Sequence, residues 1–174
     1  MIAVVQRVAR AEVRVGGECV GAVGTGLLVL VGVHVSDGEN DAAWLAERLV
    51  GLRVFEDEAG KMNLSVAQAR AIEPGPGAGG EATGSAAGGI LLVPNFTLCA
   101  QTGKGHRPSF IEAMRPEGAS GLFDRVVASI RAAGVRCETG RFGADMRVGL
   151  VNSGPVTVLL NSAEHVKRPT PAGA

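Results

Sequence analysis

Two short segments rich in backbone groups are where this chain can do chemistry. Pro94-Asn95-Phe96-Thr97-Leu98 follows an apolar run. Proline cannot donate to a β-ladder, so the strand ends or bulges there, and main-chain N–H groups are freed to point into a cleft. Asn152-Ser153-Gly154-Pro155-Val156-Thr157 sets a Gly-Pro break between two apolar stretches; on spacing alone it is a tight hairpin. The usual hydrolytic sets are missing, with neither a Gly-x-Ser-x-Gly elbow nor a His-Glu-x-x-His helix. Imidazole can come only from His34, His106 or His165. His106 stands between Lys104-Gly105 and Arg107, a cationic neighbourhood that suits phosphate contact as well as catalysis; a solvated loop is the plainer reading. Glu56-Asp57-Glu58 is either a cation-binding cluster or a solvated turn. Cys19, Cys99 and Cys137 are far apart with no Cys-x-x-Cys, which implies neither a disulfide framework nor a zinc knuckle. Cys99 follows a strand with nothing near it to activate a thiol, so it reads as packing.

The elements that must hold these segments follow from periodicity and turn signals. Ile2 to Val8 reads as a strand, and Ala11–Val15 with Glu18–Val23 reads as a hairpin over Gly16-Gly17. The run Leu27 to Val33 is continuously apolar apart from Gly32, as a central strand buried on both faces must be. Ser36 or Asp37 can cap a helix running to about Val50, with Leu45, Leu49 and Leu52 on one stripe. Arg53–Glu56 is extended and Asp57–Gly60 turns. Ile90–Val93 is a strand that meets Pro94, and Thr97–Ala100 resumes it. A polar loop spans Gln101–Ser109. A second helix fits Gly118 to Ala133, stopped by Gly134. Val135–Thr139, Met146–Asn152 and Val156–Leu160 give three more strands. The pattern predicts an α+β domain with a mostly antiparallel, curled or barrel-like sheet and two main helices. The tail, 162–174, carries two prolines and no periodicity and reads as frayed.

Composition bounds the remaining possibilities. A chain of 174 residues builds one domain. Seventeen basic and seventeen acidic residues give a net charge of zero, so no bulk field grips a long nucleic acid and any such contact is local. With no apolar run near the ~20 residues of a membrane span and no signal-peptide pattern, the expectation is a soluble cytoplasmic protein. Glycine is high at 26 residues, and from Glu73 to Gly89 thirteen of seventeen residues are Gly, Pro or Ala. That segment, 73–89, reads as a flexible surface insertion, since it cannot bury enough to offset its ordering entropy.

Six blocks in order resemble the D-aminoacyl-tRNA deacylases: Gln6-Arg7-Val8, Gly26 to Gly32, Phe55 to Ser65, Lys104 to Phe110, Thr139 to Met146 and Asn152 to Thr157. The resemblance covers residues 1–161 apart from the insertion and the second helix. It implies a homodimer with active sites at the interface, needing neither metal nor cofactor and binding the acceptor end of aminoacyl-tRNA rather than DNA. The reaction implied is hydrolysis of the ester between a D-amino acid, or the glycine of glycyl-tRNA(Ala), and the terminal ribose.

By the same resemblance, Gly154 and Pro155 correspond to the Gly-cisPro motif that one subunit inserts into the other's pocket, rejecting L-residues sterically. Backbone N–H groups of Phe96 and Thr97 would form the oxyanion site, and the RNA 2′-hydroxyl would activate water. Thr97 as a covalent nucleophile is the competing proposal, and the sequence offers it no base. Asn95 lies at the substrate, Arg7 braces the Gly-Pro segment, and Met62, Ala144 and Met146 line the pocket. Lys61, Lys104, His106 and Arg107 are the candidate phosphate contacts, with solvated surface charge the alternative. The chain departs from the family at Pro94-Asn95, where Ser-Gln is usual. A vertebrate-type branch also carries Pro there but replaces the Phe, so Phe96 and Val156-Thr157 align this chain with the D-specific branch. The departure leaves two rivals open: a deacylase of relaxed specificity, and a non-catalytic protein that binds RNA ends. A general esterase or peptidase is disfavoured by the missing nucleophile–base pair.

Overall fold

The computed structural model describes residues 1–69, 88–103 and 105–166. Most of the 73–89 segment, Lys104 and the end of the tail therefore lie outside the described residues. Among the described residues eight strands, β1 (Ile2–Val15), β2 (Glu18–Val23), β3 (Gly26–Gly32), β4 (Arg53–Glu56), β5 (Met62–Ser65), β6 (Gly89–Pro94), β7 (Cys137–Thr139) and β8 (Arg147–Asn161), accompany two helices, α1 (Glu39–Gly51) and α2 (Pro116–Ala132). Gly89, at the end of the Gly-rich segment, opens β6; its counterpart across the ladder, Gly26, is so close that a Cβ there would come 2.1 Å from the Gly89 carbonyl oxygen.

The main sheet runs β2-β1-β3-β6-β7, with β8 on the other edge of β1. The β1 pairings to β2, β3 and β8 are antiparallel, while β3-β6 and β6-β7 are parallel, so the sheet is mixed with antiparallel pairing in the majority. It curls until β2 meets the far strands: a Cβ on Gly21 would stand 2.7 Å from the Thr139 carbonyl oxygen and 3.1 Å from Leu91 Cδ1. The two-residue alternation of β3 then explains its unbroken apolar run. Leu27, Val29 and Val31 face a core shared with Leu45 and Leu49 of α1 and Phe123, Val126 and Ile130 of α2. Leu28 faces the inside of the curl with Val8, Val13, Leu91 and Val93. Among the described residues, no helix is long and apolar enough to cross a membrane.

Four expectations are corrected. The cap of α1 is Gly38, whose N–H donates to Asp41 Oδ2 at 2.9 Å. Asp37 is drawn away from capping, because its carboxylate accepts the His34 N–H at 2.6 Å and pairs with the Met1 ammonium, also at 2.6 Å. Ser162 is not frayed. It is fully buried, accepts from the Met1 ammonium and donates to Asp41 Oδ1, because a buried charge must be paired and hydrogen-bonded. Phe96–Cys99 forms a 3-10 turn rather than a resumed strand.

Finally, 152–157 is not a hairpin. Both flanking segments pair with β1 as one continuous β8. The pairing jumps from Gln6↔Thr157 to Val8↔Asn152, so residues 153–156 face the single residue Arg7 and bulge out. Asn152 closes the bulge, its Oδ1 accepting the Val156 N–H at 2.9 Å and its Nδ2 donating to the Val156 carbonyl at 3.2 Å.

Candidate active site

A cavity of about 720 Å³ opens beyond the carboxyl ends of the parallel strands β3 and β6. Ligand crevices of parallel sheets form at such ends, where the loops diverge. Its floor is the inner face of the curl (Leu28, Leu30, Val93), and its walls come from Pro94-Asn95-Phe96, from the start of α2 and from Phe142–Met146.

The first wall is built by its own sequence. Pro94 ends the ladder, Asn95 donates its N–H back to the Val31 carbonyl at 2.7 Å, and the chain tightens into the 3-10 turn. Asn95 Oδ1 caps that turn, accepting the Thr97 N–H at 3.3 Å and the Thr97 hydroxyl at 2.5 Å. The first N–H groups of any helical turn lack internal acceptors. Here the cap takes that of Thr97 through a long bond, and the Phe96 N–H has no acceptor among the described residues. Among the described residues the Thr97 hydroxyl bonds only to Asn95, with no hydrogen bond to an imidazole or carboxylate. Cys99, just behind, is buried, and desolvation raises its thiol above the ordinary value.

Phe96 and Phe110 meet edge to face at 5.2 Å and 72°, yet remain 58% and 37% exposed. Phe110 is delivered by the 101–109 loop, which the reciprocal Gln101–Ser109 hydrogen bonds pinch shut at 2.8 and 2.9 Å. His106 and Arg107 are exposed on that loop, and Lys104 is outside the described residues. On the opposite wall Met146 presses on Gly140, where a Cβ would lie 2.7 Å from its sulfur, and Ala144 is adjacent.

The remaining sequence candidates gather elsewhere in the same chain. Arg7 is only 9% exposed and spreads its guanidinium over three acceptors: the Ser153 carbonyl at 3.0 Å, the Val54 carbonyl at 2.7 Å and Glu56 Oε1 at 3.5 Å. It thereby ties the bulge to β4. The Gly154-Pro155 peptide bond is cis, and Gly154 has φ +129°, a region that favours glycine; a Cβ there would also press on Arg7 and Val156 at 3.0 and 2.8 Å. Gly154 and Pro155 are exposed and do not line the cavity. Lys61 and Met62 sit on the β4–β5 hairpin, Met62 being 59% exposed and away from the cavity. In that hairpin Asp57 is a turn anchor. Its carboxylate accepts the N–H groups of Lys61 and Ala59 at 3.0 and 2.9 Å, and these bonds, the Lys61 one foremost, hold its pKa below the ordinary value.

The cavity thus joins Asn95, Phe96, Ala144 and Met146, whereas Thr97, Arg7, Met62, Gly154 and Pro155 do not line it. Sequence reasoning missed Gln6, Phe110, Arg115 and Phe142, which also line it. Gln6, Phe110 and Phe142 lay inside segments already singled out; nothing in local spacing marks Arg115.

These features define a single-domain α+β protein with a curled mixed sheet and a polar-edged apolar cavity that, among the described residues, holds no nucleophile–base pair. The family model described as D-Tyr-tRNA(Tyr) deacylase matches residues 4–161, and the chain belongs to this family. A protein of Anaeromyxobacter dehalogenans named D-aminoacyl-tRNA deacylase is 51% identical over 93% of this chain and 97% of its own length. One of that name from Cronobacter sakazakii is 50% identical over 92% and 99%. The solved structure of "c-Myc DNA Unwinding Element Binding Protein" is 37% identical and superposes with a TM-score of 0.78 over 93% of this chain and 99% of that one. A probable eukaryotic D-amino acid tRNA deacylase shares the fold, with a TM-score of 0.72 at 16% identity.

Proposed function

We propose that this chain hydrolyses D-aminoacyl-tRNA, and glycyl-tRNA(Ala) with it, as a homodimer in which each Gly154-Pro155 bulge enters the partner's cavity. The observation that carries the reading is the division of the site within one chain. The Phe96 N–H, which has no acceptor among the described residues, borders an apolar cavity, while the braced, exposed Gly154-Pro155 bulge does not line it. In such a dimer a twofold axis sets each bulge against the partner's cavity.

In the complex the bulge carbonyls accept the substrate α-ammonium, which fixes the direction of the two other α-substituents. Hydrogen fits against Pro155 and a side chain does not, so D-residues and glycine are admitted and L-residues rejected. Water, deprotonated through the ribose 2′-hydroxyl, adds to the ester carbon. The oxyanion meets the N–H of Phe96 and, once it turns from Asn95, that of Thr97. The ester C–O bond then breaks and the ribose 3′-oxygen leaves with the proton. One oxyanion donor supplies roughly 10²–10³ in rate, and the activated ester with its oriented hydroxyl supplies much of the rest. Ala144 and Met146 shape the pocket in this scheme, Met62 enters from the partner beside Pro155, and Lys61, Lys104, His106 and Arg107 contact phosphates of the acceptor end.

The test is deacylation of D-tyrosyl-tRNA and L-tyrosyl-tRNA side by side with a chelator present. Loss of the D ester with the L ester spared is the expected result. Equal loss would indicate a relaxed site and implicate Pro94-Asn95. A second reading, nucleic-acid binding without turnover, is favoured by the name of one solved relative. Tight binding of charged tRNA or DNA by a protein that cleaves neither ester would establish it instead.

A further inference from the structure

We propose that Arg115 is a substrate-binding residue whose guanidinium takes a phosphodiester of the tRNA 3′ end at the mouth of the cavity. The proposal rests on the deacylase reading above. Among the described residues lining the cavity, Arg115 is the one charged side chain; Gln6 and Asn95 are the other long polar ones, and nearly all the rest are apolar. Arg115 is exposed and takes part in none of the ion pairs among the described residues.

Local structure does not account for its residue type. Arg115 is the N-cap of α2, where Ser, Thr, Asp or Asn is preferred, and it makes no side-chain cap hydrogen bond. A cation there also faces the positive end of the helix dipole. The substrate does account for it. An aminoacyl ester carries a positive α-ammonium, a neutral ester and neutral hydroxyls, and only its phosphates are anionic. A guanidinium at the rim therefore repels the ammonium end and holds the phosphate end through its planar fork. The exposed rings of Phe96 and Phe110 on the same rim offer a face to a base beside that phosphate.

The experiment compares wild type, Arg115→Ala and Arg115→Lys on two substrates: D-tyrosyl-tRNA, and the D-tyrosyl ester of adenosine, which has ribose and base but no phosphate. For Arg115→Ala on the tRNA we expect KM to rise about 10-fold at low salt, the loss of one charged hydrogen-bonding contact, with kcat within about twofold. The slope of log KM against log salt should flatten by about 0.7, the release of one single-strand counterion. Arg115→Lys should retain the slope, and hydrolysis of the adenosine ester should not change. An unchanged KM on tRNA, or an equal rise on both substrates, would overturn the proposal, the latter because base stacking or wall shape would then be the role. Affinity for uncharged tRNA, measured across the same salt series, reads the contact independently of turnover. If wild type binds but cleaves nothing, the deacylase reading fails while the Arg115 contact is still decided by that slope.

Discussion

Arg7→Met tests how the Gly154-Pro155 bulge is held. The substitution keeps an apolar stem of similar length and removes every guanidinium contact. Two of these go to main-chain carbonyls, Ser153 at 3.0 Å and Val54 at 2.7 Å. Hydrogen bonds from a charged donor contribute about 1.5–3 kcal/mol each. The third reaches Glu56 at 3.5 Å, whose side chain is 57% exposed, so screening limits it to under about 1 kcal/mol. Relieving the desolvation of a buried guanidinium returns part of the loss, leaving a net destabilisation of about 2–4 kcal/mol. For a chain of this size that lowers Tm by roughly 5–15 °C, read at one fixed protein concentration because the dimer proposed above would link association to folding. Activity should fall further than stability. At a temperature where the variant is fully folded, kcat/KM for D-tyrosyl-tRNA should drop by about 10²-fold, since in the proposed site a bulge displaced by about 1 Å no longer orients the ester. Arg7→Lys, which lacks the fork, should fall between, and Glu56→Gln should shift Tm by less than about 3 °C. An Arg7→Met protein with Tm within about 2 °C of wild type and activity within twofold would refute the bracing argument.

Three further outcomes follow from particular contacts. Thr97→Ala should keep deacylation within about tenfold and cost only about 1 kcal/mol, because its hydroxyl serves the Asn95 cap; a loss beyond about 10³ in single-turnover rate would restore it as nucleophile. Ser162→Ala removes a partner of the buried Met1 ammonium and of Asp41 and should cost about 1–3 kcal/mol in urea unfolding; a change under about 0.5 kcal/mol would contradict the buried network. Burial raises the Cys137 thiol from the ordinary 9.0 to about 11. Between those values the unfolded chain holds fewer protons than the folded one, so stability present below pH 9 declines as pH rises toward 11. Cys137→Ala should flatten that decline in denaturation curves, and an unaltered slope would count against it.

Elements carried by short-range patterns were legible in the chain. The Gly16-Gly17 turn joins β1 to β2 with Val15 opposite Glu18, and both glycines adopt positive φ, as a two-residue hairpin loop requires. The apolar run of β3 is buried on both faces, and the apolar stripe of α2 packs where its period directs it. Elements decided by distant partners were not legible. Asp37 looks like a helix cap until the Met1 ammonium claims it, and Ser162 looks like tail until Asp41 and Met1 enclose it. Thr97–Ala100 has strand propensity, but Pro94 removes a ladder donor and the Asn95 side chain supplies a competing turn.

By itself the sequence determined the α+β class, the interruption at Pro94 and the blocks that resemble the deacylases. Each depends on residue types within a few positions of one another, where periodicity, proline chemistry and turn preferences act. Only the tertiary structure decided that Asn152–Thr157 is a bulge in one long strand rather than a hairpin, because pairing to β1 is a contact between residues about 150 positions apart. It also decided that Asn95 and Met146 line one cavity while Arg7 and Pro155 do not. Which side chains share a cavity is set by how the sheet curls, and no local pattern encodes that curl.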